Sequence, residues 1–326
     1  MLLTPAFCFR FAVLMCVLHV IGIFICMKFA PPIAIFLGAF PLYWLTIAKI
    51  AYKNLKTPAN KRRVFISRCA RPILIFVIIT VMAKPFLSVI IPAYNEAKRL
   101  PLTLIDVDKH LEQQEYSYEI LVINDGSTDE TAEIVRRFAP LVENLKLIDN
   151  KENKGKGAAV RQGMILAKGT WRLFMDADNS TAVVEFNKMI PYFKEGYEVV
   201  IGSRDVKGAR TLPPQPFYKR FLGNIGNLII QALLVPGIWD TQCGFKCFSD
   251  EAAQKIFSIT KIDRWGFDAE ALVLARELGY PVKEMPVFWV NDPRTHVRLS
   301  AYLQVLLETA KVRWWLWRKA YDLTNN

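Results

Sequence analysis

Acidic residues are scarce in this chain of 326 residues: Asp and Glu total 30 against 42 Lys and Arg, for a net charge of +12. The partners that this balance implies are anionic, namely phosphates, acidic lipids or nucleic acid. Nucleic acid drops out, because no RNA- or DNA-binding motif appears and the cations gather beside apolar segments. A zinc site lacks its ligands. Six cysteines are scattered (Cys8, Cys16, Cys26, Cys69, Cys243, Cys247), and no second pair or nearby histidine joins Cys243 and Cys247 to complete a set. All six read as reduced, which suits a chain facing the cytosol. A signal peptide is a poor fit too: Arg10 is the only n-region charge, and no small-residue cleavage site is clear.

Charge is absent altogether from residues 11–27 (FAVLMCVLHVIGIFICM) and 29–48 (FAPPIAIFLGAFPLYWLTIA). Each approaches the roughly 20 residues that a helix needs to cross a bilayer. Lys28, Pro31 and Pro32 break the run between them. The stretch that follows carries Lys53, Lys56, Lys61, Arg62, Arg63, Arg68 and Arg71, and the positive-inside rule keeps it in the cytoplasm. The expectation is a transmembrane hairpin with both ends cytosolic, followed by an interfacial segment, 72–83, too short to span. A hydrophobic share of 52% and a mean hydropathy of +0.20 agree with a membrane protein. Residues 1–84 are therefore expected to form an anchor and 85–326 a catalytic domain. The competing reading is an upstream extension before Met82, where MAKPFLSVIIPAYNE looks like a natural start.

From Phe86 the texture changes to strands alternating with amphipathic helices. LSVIIPAY (87–94), EILVINDG (119–126), NLKLIDN (144–150), WRLFMDAD (171–178) and YEVVIGSR (197–204) read as strands. Leu100, Leu104, Val107 and Leu111 have helical spacing within 99–113. Ser127 to Glu130 has capping-box spacing and predicts a helix through Phe138. KGKGAAVRQGMILAKG predicts a glycine-led helix. Such alternation implies an α/β fold with a mainly parallel, doubly wound sheet, in which ligands bind at the carboxyl ends of the strands. Pro92–Glu96, Asp125, Asp176–Asp178 and Ser203–Arg204 all fall at strand ends.

Asp176 and Asp178 pose the sharpest question, since like charges one residue apart repel unless a cation intervenes. On an extended segment both side chains point the same way. A hard divalent ion commonly bridges one or two carboxylates to substrate phosphates. The plainer reading of DADNS is a turn capping a helix from Thr181. The other polar strand ends decide for a site.

The ordered set IIPAYNE (90–96), VINDGSTDET (122–131), NKGKGAAVRQG (153–163) and DAD (176–178) resembles the family 2 glycosyltransferases of GT-A fold. Those enzymes transfer a sugar from a nucleotide diphosphate with inversion. GSR (202–204), WDTQCGFKCF (239–248) and DRWGFDAE (263–270) narrow the resemblance to the dolichyl-phosphate β-glucosyltransferases and their prokaryotic relatives, from about Phe86 to the C-terminus. The resemblance implies that Pro92, Tyr94, Glu96 and Asp125 line the nucleotide pocket. It implies that Asp176 faces the ribose and diphosphate and that Asp178 binds Mg2+ or Mn2+. Gly155, Lys156 and Gly157 would let the backbone approach the donor, the alternative being a cationic helix start. Arg204 and Arg220 match positions that bind the acceptor phosphate, although Arg220 serves equally as a membrane-surface charge. Asp240 is the acid expected to orient the acceptor. Asp268 or Glu270 could serve instead, or one could pair with Arg264. The expected catalytic set is Asp176, Asp178, Arg204 and Asp240. One departure stands out: Asn124 occupies a position where the family usually has Asp. The eukaryotic enzymes also carry one N-terminal anchor, where this chain predicts a hairpin.

A lipid phosphate acceptor has a second pKa of ~6 and is largely dianionic at pH 7. No strong general base is then required. The site must hold two anions together and stabilise the departing diphosphate. The resulting expectation is transfer of glucose from UDP-glucose to dolichyl or polyprenyl phosphate at the cytosolic face of a bilayer. GDP-mannose or another donor is the alternative. A processive polysaccharide synthase is disfavoured, because its Gln-x-x-Arg-Trp motif is replaced by Lys261-Ile-Asp-Arg-Trp265 and no later span follows. Further on, Arg294 and Arg298 are candidates to clamp the diphosphate, and His296 reads as a surface histidine. Residues 221–239 form either a core helix or a re-entrant one. Trp314, Trp315 and Trp317 among Arg313, Arg318 and Lys319 suit a helix in the headgroup layer.

Overall fold

In the computed structural model, β1 (Leu87–Ala93) is the strand on which the sheet is built, and every one of its residues is buried. The structure describes residues 84–214, 217–291 and 299–323. The expected transmembrane hairpin, the interfacial segment 72–83, Arg294, His296, Arg298 and the side chain of Arg220 lie outside the described residues. Among the described residues, no helix is long and apolar enough to cross a membrane.

After β1 come α1 (Leu100–Leu111), β2 (Tyr118–Asp125), α2 (Thr131–Phe138), β3 (Leu145–Asn150), α3 (Lys156–Leu166) and β4 (Trp171–Met175). A 3-10 helix (Val183–Lys188), α4 (Ile190–Lys194), β5 (Val199–Ser203), β6 (Arg210–Leu212) and α5 (Phe217–Leu233) follow. The chain continues through β7 (Phe245–Ser249), α6 (Asp250–Ile259), α7 (Phe267–Glu277), β8 (Val282–Pro286), β9 (Phe288–Val290) and α8 (Leu299–Trp317). The main sheet has the order β3-β2-β1-β4-β7-β5-β8. All its pairings are parallel except those of β7, which runs antiparallel to both β4 and β5. The mainly parallel α/β sheet expected from the alternation is present.

Both faces of the sheet are covered, so its inner strands β1, β2 and β5 are buried almost end to end. The two-residue period of a strand sends neighbours to opposite layers. Ile90, Leu121, Ile123, Phe174, Val199, Ile201 and Phe248 join one core with residues of α3, α6, α7 and α8. Val89, Ile91, Val122, Leu173, Met175, Val200 and Cys247 join the other with α1 and the 3-10 helix.

Three local expectations are corrected. Ser127 does not cap α2, which begins at Thr131 with no side-chain cap; the Ser127 hydroxyl instead accepts from Asn95 N at 2.9 Å. Strand β4 stops at Met175, so Asp176 and Asp178 sit in the turn beyond it, where Asn179 has φ +56°. The Asn179–Thr181 stretch caps nothing: the next helix is the 3-10 turn, with Ala182 at its N-cap and no side-chain bond.

Helix α3 lies against the sheet through Gly163, where an added Cβ would meet Ile90 Cγ2 at 2.3 Å. Ile90 is fully buried and β-branched, so it cannot step aside. For Gly163→Ala, the helix-propensity gain is about 1 kcal/mol and the overpacking cost about 1–3 kcal/mol. The expected outcome is a net loss of up to about 2 kcal/mol, measured by urea unfolding; a stabilised variant would contradict this packing.

Candidate active site

The rim begins at the end of β1. Pro92 is buried, Tyr94 is exposed, and Asn95 takes φ +56° so that the loop turns back. The loop is pinned to the segment after β2: Asn95 Oδ1 accepts from Thr128 N at 2.9 Å, and Glu96 N donates to Thr131 Oγ1 at 2.8 Å. Glu96 then holds Arg99, whose Nε donates to it at 2.6 Å. Arg99 Nη1 reaches Asp178 Oδ2 at 3.4 Å.

Asp125 ends β2 and is nearly fully buried. Its Oδ1 accepts from Lys154 N at 2.9 Å, and its Oδ2 accepts from Gly155 N at 2.8 Å and Asn153 Nδ2 at 3.0 Å. Burial raises its pKa, and the backbone bonds from Lys154 and Gly155 act in the opposite direction. Asp125 thus anchors the loop that opens α3. Beside it, buried Asn124 donates from Nδ2 to Asp149 Oδ1 at 2.7 Å. A carboxylate at position 124 would face that of Asp149, which is a physical reason for the amide in this chain.

The glycines flanking Lys156 serve packing. A Cβ on Gly155, which has φ +114°, would lie 2.4 Å from the Asp263 carbonyl oxygen, and one on Gly157 would lie 2.6 Å from that of Ile262. They bring the start of α3 against the backbone of residues 262–264, where Gly157 N and Ala158 N donate to Arg264 O and Asp263 O. Lys156 is thereby aimed at Asp176, with Nζ 2.5 Å from Oδ1. Burial works against its charge, but Asp176 and then Asp268 hold its pKa above the usual range.

Each carboxylate of the Asp-Ala-Asp turn therefore has its own cation, Lys156 for Asp176 and Arg99 for Asp178. Burial and then the charge of Asp176 raise the pKa of Asp178, while Ser180 and Arg99 oppose the shift. Among the described residues, no group of three or more His, Cys, Asp or Glu is placed to hold an ion. The protein offers two hard oxygen donors, of which Asp178 lies where burial and the adjacent Asp176 disfavour its charge. This donor set fits a magnesium-type ion whose other ligands are water and substrate phosphates.

Across the rim, Arg204 follows β5 and meets Asp240. Its Nε donates to Asp240 Oδ2 at 2.7 Å, its Nη2 to Oδ1 at 2.8 Å, and its backbone N to Oδ2 at 2.9 Å. Burial opposes the charge of Asp240, yet Arg204 holds its carboxyl below the usual range. The guanidinium lies 5.3 Å from the centroid of Trp289. A guanidinium carries five N–H donors, and Asp240 takes two. The other three have no hydrogen-bond partner among the described residues. The two halves of the rim meet at Gly244, whose carbonyl accepts from Asp176 N at 3.1 Å.

Asp268 and Glu270 do not reach Arg264. Asp268 pairs with Lys246, which is fully buried, and Glu270 accepts from Lys261 N, Ile262 N and Tyr321 Oη. Arg99, Lys246, Glu284 and Trp289 were not predicted from the sequence. Arg99 carried a signal, three residues after Glu96 on the entry to a helix. The other three pair with residues distant in sequence: Lys246 with Asp268, Glu284 with the 239–240 backbone and Trp289 with Arg204.

The Glycosyl transferase family 2 model matches residues 88–257. A dolichyl-phosphate β-glucosyltransferase of Dictyostelium discoideum is 37% identical over 241 residues, covering 70% of this chain and 74% of that one. The human dolichyl-phosphate β-glucosyltransferase is 32% identical over 218 residues, covering 63% and 67%. Among solved structures, glucosyl-3-phosphoglycerate synthase from Mycobacterium tuberculosis, in complex with Mn2+, UDP and glucosyl-3-phosphoglycerate, aligns with a TM-score of 0.54. At 16% identity, covering 70% of this chain and 80% of that one, it shares the fold.

Removing Asp240 strands the Arg204 charge. For Asp240→Ala we expect a loss of about 3 kcal/mol, the low end for breaking a buried pair, because Arg204 keeps some exposure and can turn toward water. Urea unfolding measures it, and a change below about 1 kcal/mol would show that the pair is not a structural tie.

Proposed function

This chain belongs to glycosyl transferase family 2, and on that premise we propose that it transfers glucose, with inversion, from UDP-glucose to the phosphate of a dolichyl or polyprenyl phosphate at the cytosolic face of a membrane. The carrying observation is the division of one rim into two anion-handling halves. Asp176, Asp178, Lys156 and Arg99 form one, and Arg204 with Asp240 forms the other. Two phosphate-bearing substrates must meet in this reaction, and the rim offers a place for each. The names of the relatives support the sugar and the acceptor.

Asp178, with Asp176 beside it, would hold Mg2+ or Mn2+, which when bound neutralises charge on the donor diphosphate and so favours its departure. Lys156 lies against Asp176 and is placed to meet the donor's phosphates or ribose from the same side. Tyr94, Glu96 and the loop held by Asp125 border the nucleotide. At the other half, Arg204 presents its remaining N–H donors to the acceptor phosphate, with Asp240 fixing its plane. A dianionic phosphate oxygen attacks the anomeric carbon of the sugar while the bond to the diphosphate oxygen breaks. No proton need be removed, so no general base is assigned.

Two packed helices support the membrane part of the reading. Helix α5 exposes Ile225, Leu228, Ile229 and Leu233, followed by exposed Trp239, while α8 exposes Leu303, Leu307, Trp314 and Trp317. Lys311 and Arg318 lie over the rings of Trp315 and Trp314 at 4.7 and 5.4 Å. Apolar side chains and tryptophans edged by cations suit the headgroup layer.

The test is a transfer assay with membranes containing the full chain, a panel of labelled nucleotide sugars and a short-chain polyprenyl phosphate. UDP-glucose is expected to give a lipid-linked sugar. A water-soluble product alone would sink the proposal, and preferential transfer from GDP-mannose would reassign the donor. Asp178→Ala should cut metal-dependent transfer by about a hundredfold or more. Gly244→Ala should act more selectively. Its Cβ would fall 2.0 Å from Asp176 Oδ2, and the carboxylate can rotate away, losing Lys156 without unfolding the sheet. Transfer is expected to drop about tenfold or more with the melting temperature nearly unchanged; full activity would remove Asp176 from the mechanism.

A further inference from the structure

The Arg204–Asp240 pair does not stand alone. Asp240 belongs to the loop between α5 and β7, and both backbone N–H groups at its apex donate to one carboxylate from a distant strand. Trp239 N reaches Glu284 Oε2 at 2.9 Å, and Asp240 N reaches Glu284 Oε1 at 2.7 Å. Glu284 sits in β8 directly across from Ile201 of β5, three residues before Arg204. From the loop's other side, Asn227 of α5 accepts from Thr241 N at 3.2 Å and Thr241 Oγ1 at 2.8 Å, and donates to the Trp239 carbonyl. Five residues beyond Glu284, Trp289 offers its ring to the Arg204 guanidinium. The β8–β9 segment thus orders Arg204 twice, through the loop by Glu284 and at its face by Trp289.

We propose that Glu284 is a positioning residue for the acceptor half of the site: it fixes the 239–240 backbone, which fixes Asp240, which sets the plane in which Arg204 meets the acceptor phosphate. This deepens the functional reading above and rests on Arg204 being the acceptor-phosphate ligand. A carboxylate accepting two backbone N–H groups is charge-assisted at both, which makes the clamp strong. Glutamine can accept one of those bonds but turns an NH2 toward the other donor. Alanine accepts neither. The donor half has no direct hydrogen bond to Glu284, so the effect falls on one substrate.

Steady-state kinetics of the full chain, varying UDP-glucose and a short-chain polyprenyl phosphate independently, test this with Glu284→Gln, Glu284→Ala and Trp289→Leu. The KM for the acceptor is expected to rise a few-fold for Glu284→Gln and about tenfold for Glu284→Ala, with the KM for UDP-glucose within twofold of wild type. Trp289→Leu leaves the clamp intact and should give the same acceptor-only rise, so the test survives if Glu284→Ala fails to fold. A parallel rise in both KM values, or no rise in the acceptor KM for Glu284→Gln and Trp289→Leu, would overturn the proposal while leaving the transferase reading in place. A wild-type chain that makes no lipid-linked sugar would overturn both, and that result is visible before any variant is compared.

Discussion

Two carboxylates held one residue apart in a partly buried turn set the terms for the rest of this site. Burial and the neighbouring charge of Asp176 weigh against an ionised Asp178, and the fold sets a cation on each side of the turn. Lys156 comes from the start of α3 and Arg99 from the approach to α1. Helix α3 can start close enough only because Gly155 and Gly157 admit the backbone of residues 262–264. Arg99 is held in turn by Glu96, whose loop is tied to the segment after β2. The two cations that flank this turn thus depend on the packing of two helices and two loops.

The second organising feature is the reversed strand. In a sheet otherwise parallel, β7 runs the other way between β4 and β5, so its beginning lies where its neighbours end. The segment leading into β7 therefore arrives at the ligand rim. It brings Asp240 against Arg204 at the end of β5 and Gly244 against Asp176 at the end of β4. Gly244 has no side chain because the Asp176 carboxylate fills that space. One antiparallel insertion joins the carboxylate turn to the arginine, and so joins the two halves through backbone rather than through a mobile side chain.

Much of this was legible in the sequence, and the misses have physical causes. The strands showed as apolar runs ending in polar groups, and the alternation with helices implied the parallel sheet. Asp125, Asp176, Asp178 and Arg204 were visible because each directly follows or ends such a run. Their partners were harder to find. Glu284 and Trp289 lie on β8 and β9, whose closeness to Arg204 is created by the sheet order, and no local spacing encodes sheet order. The capping-box spacing from Ser127 to Glu130 misled for a related reason. A hydroxyl that would cap an isolated helix found a better donor in Asn95, across the rim. Tertiary contact overrode local propensity there.

Lys246 and Asp268 show how deep the compensation runs. Lys246 is fully buried on β7, donates to the Cys243 carbonyl and pairs with Asp268 of α7. Burial pushes the Asp268 carboxyl up, and Lys246 and Lys156 pull against that shift. Without Lys246, Asp268 would lean on Lys156 alone and compete with Asp176 for its charge. With Lys246 in place, Lys156 is left to the rim. A buried ion pair is a poor source of stability, since apolar residues of the same shape would do as well. Its presence beneath the carboxylate turn makes better sense as a fixed counter-charge, which keeps Lys156 committed to Asp176.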